Sequence, residues 1–317
     1  MQGSPRIIYM GTPDFAVEPL KAIVNDGFNV VGVVTVPDKP AGRGLKLQES
    51  PVKRYAIEQG IKVLQPEKLR DPAFTEELKS LSPDIAVVVA FRMLPKEVWS
   101  LPTLGTFNLH ASLLPQYRGA APINWAVING EKVSGVTTFL IDEQIDTGNI
   151  LLSEKVDIDI NDTAGQLHDK LMVVGASLTV KTIKALASKS ITPTPQPSGI
   201  ELKSAPKIFR ETCKIVWANS ALSVHNHIRG LSPYPGAWSD LELTDGTIVS
   251  AKIQLTALAE SYKHNDIGSI TVDKDRLIVS CNDSCVEILQ LQLPGKKSMA
   301  TPDLLRGMQS NLPKRFL

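Results

Sequence analysis

Residues 107–122, FNLHASLLPQYRGAAP, place an asparagine and a histidine two positions apart at the end of an apolar run. In an extended chain, side chains i and i+2 share a face, so the Asn108 amide and the His110 imidazole converge on one small volume. Two such groups aimed at one point suit an oxygen that gains negative charge during reaction at a carbonyl. Further along, IDEQIDTGNI sets Asp146 in a turn between two strand-like runs, followed by Thr147 and by Gly148, which permits close backbone approach. The three groups divide the labour of an acyl transfer. Asn108 and His110 hold the oxygen, while Asp146 orients the ring and receives a proton directly or through water. Taken singly, each has an ordinary alternative: a satisfied polar pair in a loop, and a common turn aspartate. Their combination points to chemistry.

Other catalytic schemes lack their residues. There is no serine in a nucleophile elbow, no H-E-x-x-H and no cysteine close to His110, so direct attack by a substrate nucleophile without a metal is the simplest scheme. His225 and His227 are two apart in a helical-looking segment, where i and i+2 do not share a face, and read as surface or packing residues. Cys213, Cys281 and Cys285 are odd in number and contain no C-x-x-C pair, which fits reduced cytosolic thiols.

The elements that must position these groups follow from the hydropathy pattern. The chain has 317 residues, 43% hydrophobic and 21% charged, enough for two domains. The runs RIIYM, NVVGVVTV, IKVLQP and DIAVVVAF alternate with amphipathic segments, including a helix from about Asp14 and another over 52–59. This is a parallel α/β pattern, in which ligands sit at the carboxyl ends of the strands, where Asn108 and His110 lie. The first turn, GTPDF, has one glycine where a dinucleotide fingerprint has three, so no nicotinamide or flavin is expected. A helix over 163–187 follows the strand pair VSGVTTFLI and ILLSEKVDI. SKSITPTPQPSG then cannot propagate a helix and reads as an extended linker. We place domains at 1–189 and 207–317, joined by 190–206. A helix over 220–229 and short strand-like runs from WSDLELT to VEILQLQL fit a small antiparallel barrel. No stretch approaches the roughly 18 apolar residues of a membrane helix, and MQGSPRIIYMG carries no export signal, so the expected location is cytoplasmic.

The formal charge of +1 exerts no global pull on a polyanion, but charge is clustered. Residues 38–54 hold Lys39, Arg43, Lys46, Lys53 and Arg54 against Asp38 and Glu49, and 296–315 hold Lys296, Lys297, Arg306, Lys314 and Arg315 against Asp303. Each patch is a solvated surface or a polyanion contact, and Lys296 and Lys297 beside Gly295 are candidates for phosphate. Leu113, Leu114 and Pro115 read as shaping the turn beneath the site. Arg118 either positions a substrate anion or braces the loop, and Trp217, Trp238 and Pro235 read as core or turn residues.

NLHASLLPQYRGAAPINWAVINGE with the later GVTTFLIDEQIDTGNIL resembles the signature of the tetrahydrofolate-dependent formyltransferases, N-x-H-x-S-L-L-P-x-x-R-G-x-x-P and D-T-G. RIIYMGTPDFAVEPL, PDKPAGRGLKLQESPVK and LPGKKSMATPDLLRG resemble the branch of that family whose acceptor is methionyl initiator tRNA, and the likeness spans nearly the full length. It implies an α/β, Rossmann-like formyltransferase domain with a mainly parallel sheet, and a smaller C-terminal OB-like β-barrel that assists tRNA binding. It also implies 10-formyltetrahydrofolate as donor, no metal, initiator methionyl-tRNA as partner, and a monomer serving translation initiation. Asn108, His110 and Asp146 match the family's catalytic positions. Phe91, Arg92, Met93 and Leu94, with Ser112, Leu113, Leu114 and Pro115, fall where the folate binds. Lys39, Arg43, Lys46, Lys296 and Lys297 fall on the tRNA side, with Arg43 in a mobile loop that inserts toward the acceptor end. One departure stands out. Where the family's fourth strand ends in A-Y-G-x-I-L-P, this chain reads AFRMLP from Ala90 to Pro95, one residue shorter and without the glycine, leaving main-chain groups to read the pterin. The same three residues would serve a small-molecule acceptor or a formyl-folate hydrolase, but neither requires the basic loop or the barrel. An idle RNA-binding protein would leave Asn108, His110 and Asp146 without a task.

Overall fold

The computed structural model describes residues 4–41, 46–259, 261–263, 265–308 and 311–317. Two compact units emerge. The first comprises Met1–Gly119, Ser134–Val156 and His168–Ser204, and the second Ala120–Val133, Asp157–Leu167 and Ala205–Leu317. The main helices are α1 (Val17–Asn25), α2 (Pro51–Glu58), α3 (Pro72–Ser80), α4 (Pro122–Ile128), α5 (Ala164–Ala187), α6 (Ala221–Gly230) and α7 (Thr301–Met308). Among the described residues, no helix is long and apolar enough to cross a membrane.

The first unit is built on β1 (Arg6–Gly11), β2 (Asn29–Val34), β3 (Val63–Leu64), β4 (Ile85–Val89), β5 (Thr106–His110), β6 (Val133–Leu140) and β7 (Ile150–Asp157). Their order across the sheet is β7-β6-β5-β4-β1-β2-β3. The first five strands pair in parallel, and β6 runs antiparallel to β5, opposing Phe139 to Asn108 and Thr137 to His110. The mainly parallel sheet is thus as expected. Its cause is visible in β1 and β4, whose residues Ile7 to Met10 and Ile85 to Val89 are all buried. A strand covered on both faces requires a continuous apolar run, and each large side chain so buried contributes about 1.5–3 kcal/mol. Ser50 and Asp71 begin α2 and α3 by accepting the amides of Lys53 and Ala73, with a proline at the first helical position of each.

Sidedness at β5 follows from α5. A Cβ added at Gly175 of α5 would lie 2.9 Å from Leu109 Cδ2, so Leu109 packs on this helix. Asn108 and His110 therefore occupy the other face of the sheet.

Two segments read as loop and linker carry structure. Lys39–Ala41 and Lys46–Gln48 pair as short antiparallel strands, while Arg43 lies outside the described residues. The proline-rich connector is strapped to the first unit: Thr194 and Ile150 exchange both backbone hydrogen bonds at 2.8 Å, and Tyr117 N donates to Lys203 O at 2.6 Å. Prolines forbid a helix here, yet leave intervening residues free to pair at an edge.

In the second unit, β8 (Ala237–Leu243), β9 (Ile248–Leu258), β10 (Ile270–Asp273), β11 (Arg276–Ser280), β12 (Cys285–Gln292) and β13 (Pro313–Phe316) form an antiparallel sheet in the order β10-β11-β12-β9-β8-β13. A bridge between Ser269 and Arg315, with Phe316 N donating to Gly268 O at 2.8 Å, draws the ends together into a nearly closed barrel. Trp217 is buried and stacks on Phe316 with centroids 4.9 Å apart, a core role as expected. Trp238 packs against the same core but carries Arg210 and Lys214 over its ring. His225 is a packing residue, 1% exposed, with Nδ1 2.9 Å from Thr256 Oγ1 and Nε2 3.0 Å from Ile160 O.

Candidate active site

Strand β5 delivers His110 to its carboxyl end, where the ring is 6% exposed, with Asn108 half-buried on the same face. His110 Nε2 lies 2.9 Å from the Tyr117 carbonyl oxygen. A carbonyl only accepts, so Nε2 carries the proton and Nδ1 is left toward Asp146, whose Oδ2 is 3.9 Å away. That separation exceeds a hydrogen bond, so a group touching both atoms sits to one side of the line that joins them. The Phe139 ring meets His110 edge-on at 6.5 Å between centroids, giving the site an apolar wall.

Asp146 is held by its turn. It adopts φ +56°, a left-handed conformation uncommon outside glycine, asparagine and aspartate. Asp142 ties the turn by accepting from Gln144 N at 3.0 Å and from Thr147 Oγ1 at 2.8 Å. At Gly148 a Cβ would lie 1.7 Å from Leu140 O, so only glycine fits. The carboxylate itself accepts the Gly119 amide, 2.9 Å from Oδ2.

The segment after β5 shapes this corner from within. Ser112 Oγ donates to Gln116 O at 2.6 Å, and Thr137 Oγ1 donates to Ser112 O while accepting from Leu114 N. Ser112, Leu114 and Pro115 are buried, and a Cβ at Gly135 of β6 would come within 2.5 Å of Leu113 Cδ2. These four side chains therefore help pack the turn, with Leu113 half-buried. Arg118 resolves to a brace: its Nε and Nη2 donate to Gln196 Oε1 at 3.2 and 2.6 Å. Gln196 in turn donates from Nε2 to Asp146 O and Gly148 O, each at 2.9 Å. The sequence reading missed Gln196 and Asp142. The flanking prolines of Gln196 signalled an extended strap but not its target, and the Asp142 and Thr147 spacing marked a self-capped turn.

A cavity of about 510 Å³ opens beyond the carboxyl end of β4, lined by Lys68, Leu69, Arg70, Met93, Leu94, Pro95, Lys96, Trp99 and Glu143. Met93 and Leu94 thus border it, whereas Phe91 packs against the core. Arg92 turns aside: its guanidinium donates to Glu67 O at 2.9 Å and to Pro66 O, and stands over the Phe91 ring. Burial lowers its pKa. Lys96 and Glu143 pair across the cavity lining at 2.6 Å, and their mutual hydrogen bond raises the lysine's pKa and lowers the carboxylate's. Lys39, Lys296 and Lys297 are exposed, the last two in a turn after β12.

A formyl transferase family model matches residues 5–183, and the model of the formyl transferase C-terminal domain matches residues 207–309. This chain belongs to the formyl transferase family. Among curated members of known name, the methionyl-tRNA formyltransferase of Bacteroides thetaiotaomicron is 51% identical over 308 residues, covering 96% of both chains. That of Phocaeicola vulgatus is 54% identical over 312 residues with the same coverage. Among solved structures, this formyl transferase is similar to an N-formyltransferase from Helicobacter canadensis in complex with folinic acid and dTDP-3-aminofucose. That likeness has a TM-score of 0.64 at 24% identity and covers 89% of this chain and 97% of the other. HypX from Aquifex aeolicus is similar at a TM-score of 0.64 and 16% identity, over 97% of this chain and 50% of that one. These distant likenesses support the fold.

Proposed function

We propose that this formyl transferase moves the formyl group of 10-formyltetrahydrofolate onto the α-amine of methionine esterified to initiator tRNA, in the cytoplasm, at the start of translation. The observation that carries this reading is the likeness to methionyl-tRNA formyltransferases, 51% identity over 96% of both chains. The structurally similar Helicobacter canadensis protein, crystallised with an amino-sugar nucleotide, is 24% identical, which favours the tRNA acceptor over a small amine.

The chemistry asks little of a base. An α-amine titrates near 7.7–8.0 in peptides, and the adjacent ester lowers this further, so much of it is a free nucleophile at neutral pH. As the amine nitrogen bonds to the formyl carbon, the formyl oxygen becomes an oxyanion. The Asn108 amide and, in the protonated ring, His110 Nδ1–H donate to it, each donor being worth about 3 kcal/mol in the transition state. His110 Nε2, anchored on Tyr117 O, keeps the ring from turning away. The Asp146 carboxylate, steadied by Gly119 N, takes the proton from the attacking nitrogen. The bond from the formyl carbon to the folate nitrogen then breaks, and the proton ends on that leaving nitrogen. The cavity composition fits the donor: Leu69, Met93, Leu94, Pro95 and Trp99 suit flat rings, and Lys68 and Arg70 suit the carboxylates of its glutamyl tail, while Lys96 is neutralised by Glu143 in the same lining.

The test is transfer of labelled formyl from 10-formyltetrahydrofolate, with methionyl initiator tRNA, methionyl elongator tRNA and free methionine as parallel acceptors. Label is expected on the initiator alone. Deformylation of the folate with no acceptor labelled, or labelling of free methionine, would overturn the assignment.

A further inference from the structure

The connector after α5 does more than join elements, because one of its side chains grips the turn that presents Asp146. We infer that Gln196 is a positioning residue for that aspartate, locked in its working orientation by Arg118. The inference rests on the proposed role of Asp146 and adds to it a residue 50 positions away in sequence.

Gln196 is half-buried among exposed neighbours, Thr194, Pro195 and Pro197. Its Nε2 donates to two carbonyls of one turn, Asp146 O and Gly148 O, at 2.9 Å each. Those carbonyls bracket Thr147, so a single amide fixes the 146–147 and 148–149 peptide planes of the turn. An amide could bind either way round, but Arg118 settles the choice. Its two donors at 3.2 and 2.6 Å require the oxygen, which sends the NH2 group toward the turn. Gly119, next in the chain, holds Asp146 Oδ2. The Arg118-Gly119 pair thus grips the aspartate at its carboxylate directly and at its main chain through Gln196. The flanking prolines restrict the strap, and the Thr194–Ile150 bridge anchors it two residues before Gln196. The held conformation, φ +56° at Asp146, is one an unrestrained turn leaves readily.

Kinetics with methionyl initiator tRNA separate positioning from packing. Gln196→Ala is expected to lower kcat about 10²-fold, the scale of a 1 Å misplacement, with both KM values and the melting temperature near those of the parent. Gln196→Glu, nearly the same size, keeps the Arg118 pair but turns acceptors on two carbonyls, and should lose at least as much. In an Asp146→Asn background, Gln196→Ala should slow the reaction no further, because both changes remove one function. An additive loss in that background, or a Gln196→Glu protein of parental kcat, would overturn the inference. Full activity in Asp146→Asn alone would instead overturn the role of the aspartate on which it rests.

Discussion

In the proposed site, two side chains on one face of β5 and a third in a left-handed turn have their distances set by neighbours without chemistry of their own. His110 is oriented by a carbonyl and Asp146 by a backbone amide, which leaves them 3.9 Å apart. Asn108→Ala and Asp146→Ala should each lower kcat by about 10²- to 10³-fold, the usual cost of one such group. Neither should change tRNA affinity measured by filter binding, and a large loss of affinity would move these residues from chemistry to recognition. At this scale the Asn108-His110 pair was legible because strand periodicity alone puts i and i+2 together. Gln196 was not, since nothing local tells a solvated glutamine in a proline-rich stretch from one that spans to a turn 50 residues earlier. Arg92 shows the converse: its charge suggested a ligand contact, and the fold spends it on the carbonyls of Pro66 and Glu67.

Among the elements, α6 stakes stability on neutral histidines. Burial pulls the His225 pKa below its ordinary 6.5, helped by the nearby Arg229 charge and opposed by the bond to Ile160 O, and burial likewise lowers that of His227. A histidine whose folded pKa is depressed binds its proton more readily in the unfolded chain. Its stability contribution is therefore complete above about pH 6.5 and declines as pH falls toward the folded value. Each such histidine steepens the decline by up to about 1.4 kcal/mol per pH unit. Thermal unfolding followed between pH 8 and 5.5 should show a falling midpoint below about 6.5, and the fall should be shallower in His225→Gln. An identical pH profile in that variant would show that His225 does not couple to folding. The helix itself was readable from its pattern, whereas the burial of His225 depended on strand β9 and residue 160 arriving beside it.

For the whole molecule, a net charge of +1 leaves attraction for tRNA to local patches. Replacing Lys296 and Lys297 together by alanine should weaken tRNA binding and reduce the slope of log affinity against log salt by about 2, with kcat at saturating tRNA unchanged. An unchanged slope would remove that turn from the interface. The parallel α/β sheet, the barrel strands, the long α5 and the family were legible in the sequence, and so was the proposal of Asn108, His110 and Asp146, because periodicity, turn residues and an extended motif are local or ordered along the chain. Only the tertiary structure decided that residues 120–133 and 157–167 pack with the barrel. It also decided that the connector is a strap whose Gln196 reaches the Asp146 turn, and that Ser112 and Arg92 face inward. The physical reason is common to all of these. Such contacts are made between segments far apart in sequence, and which buried polar group satisfies which carbonyl is chosen only when the chain folds them together.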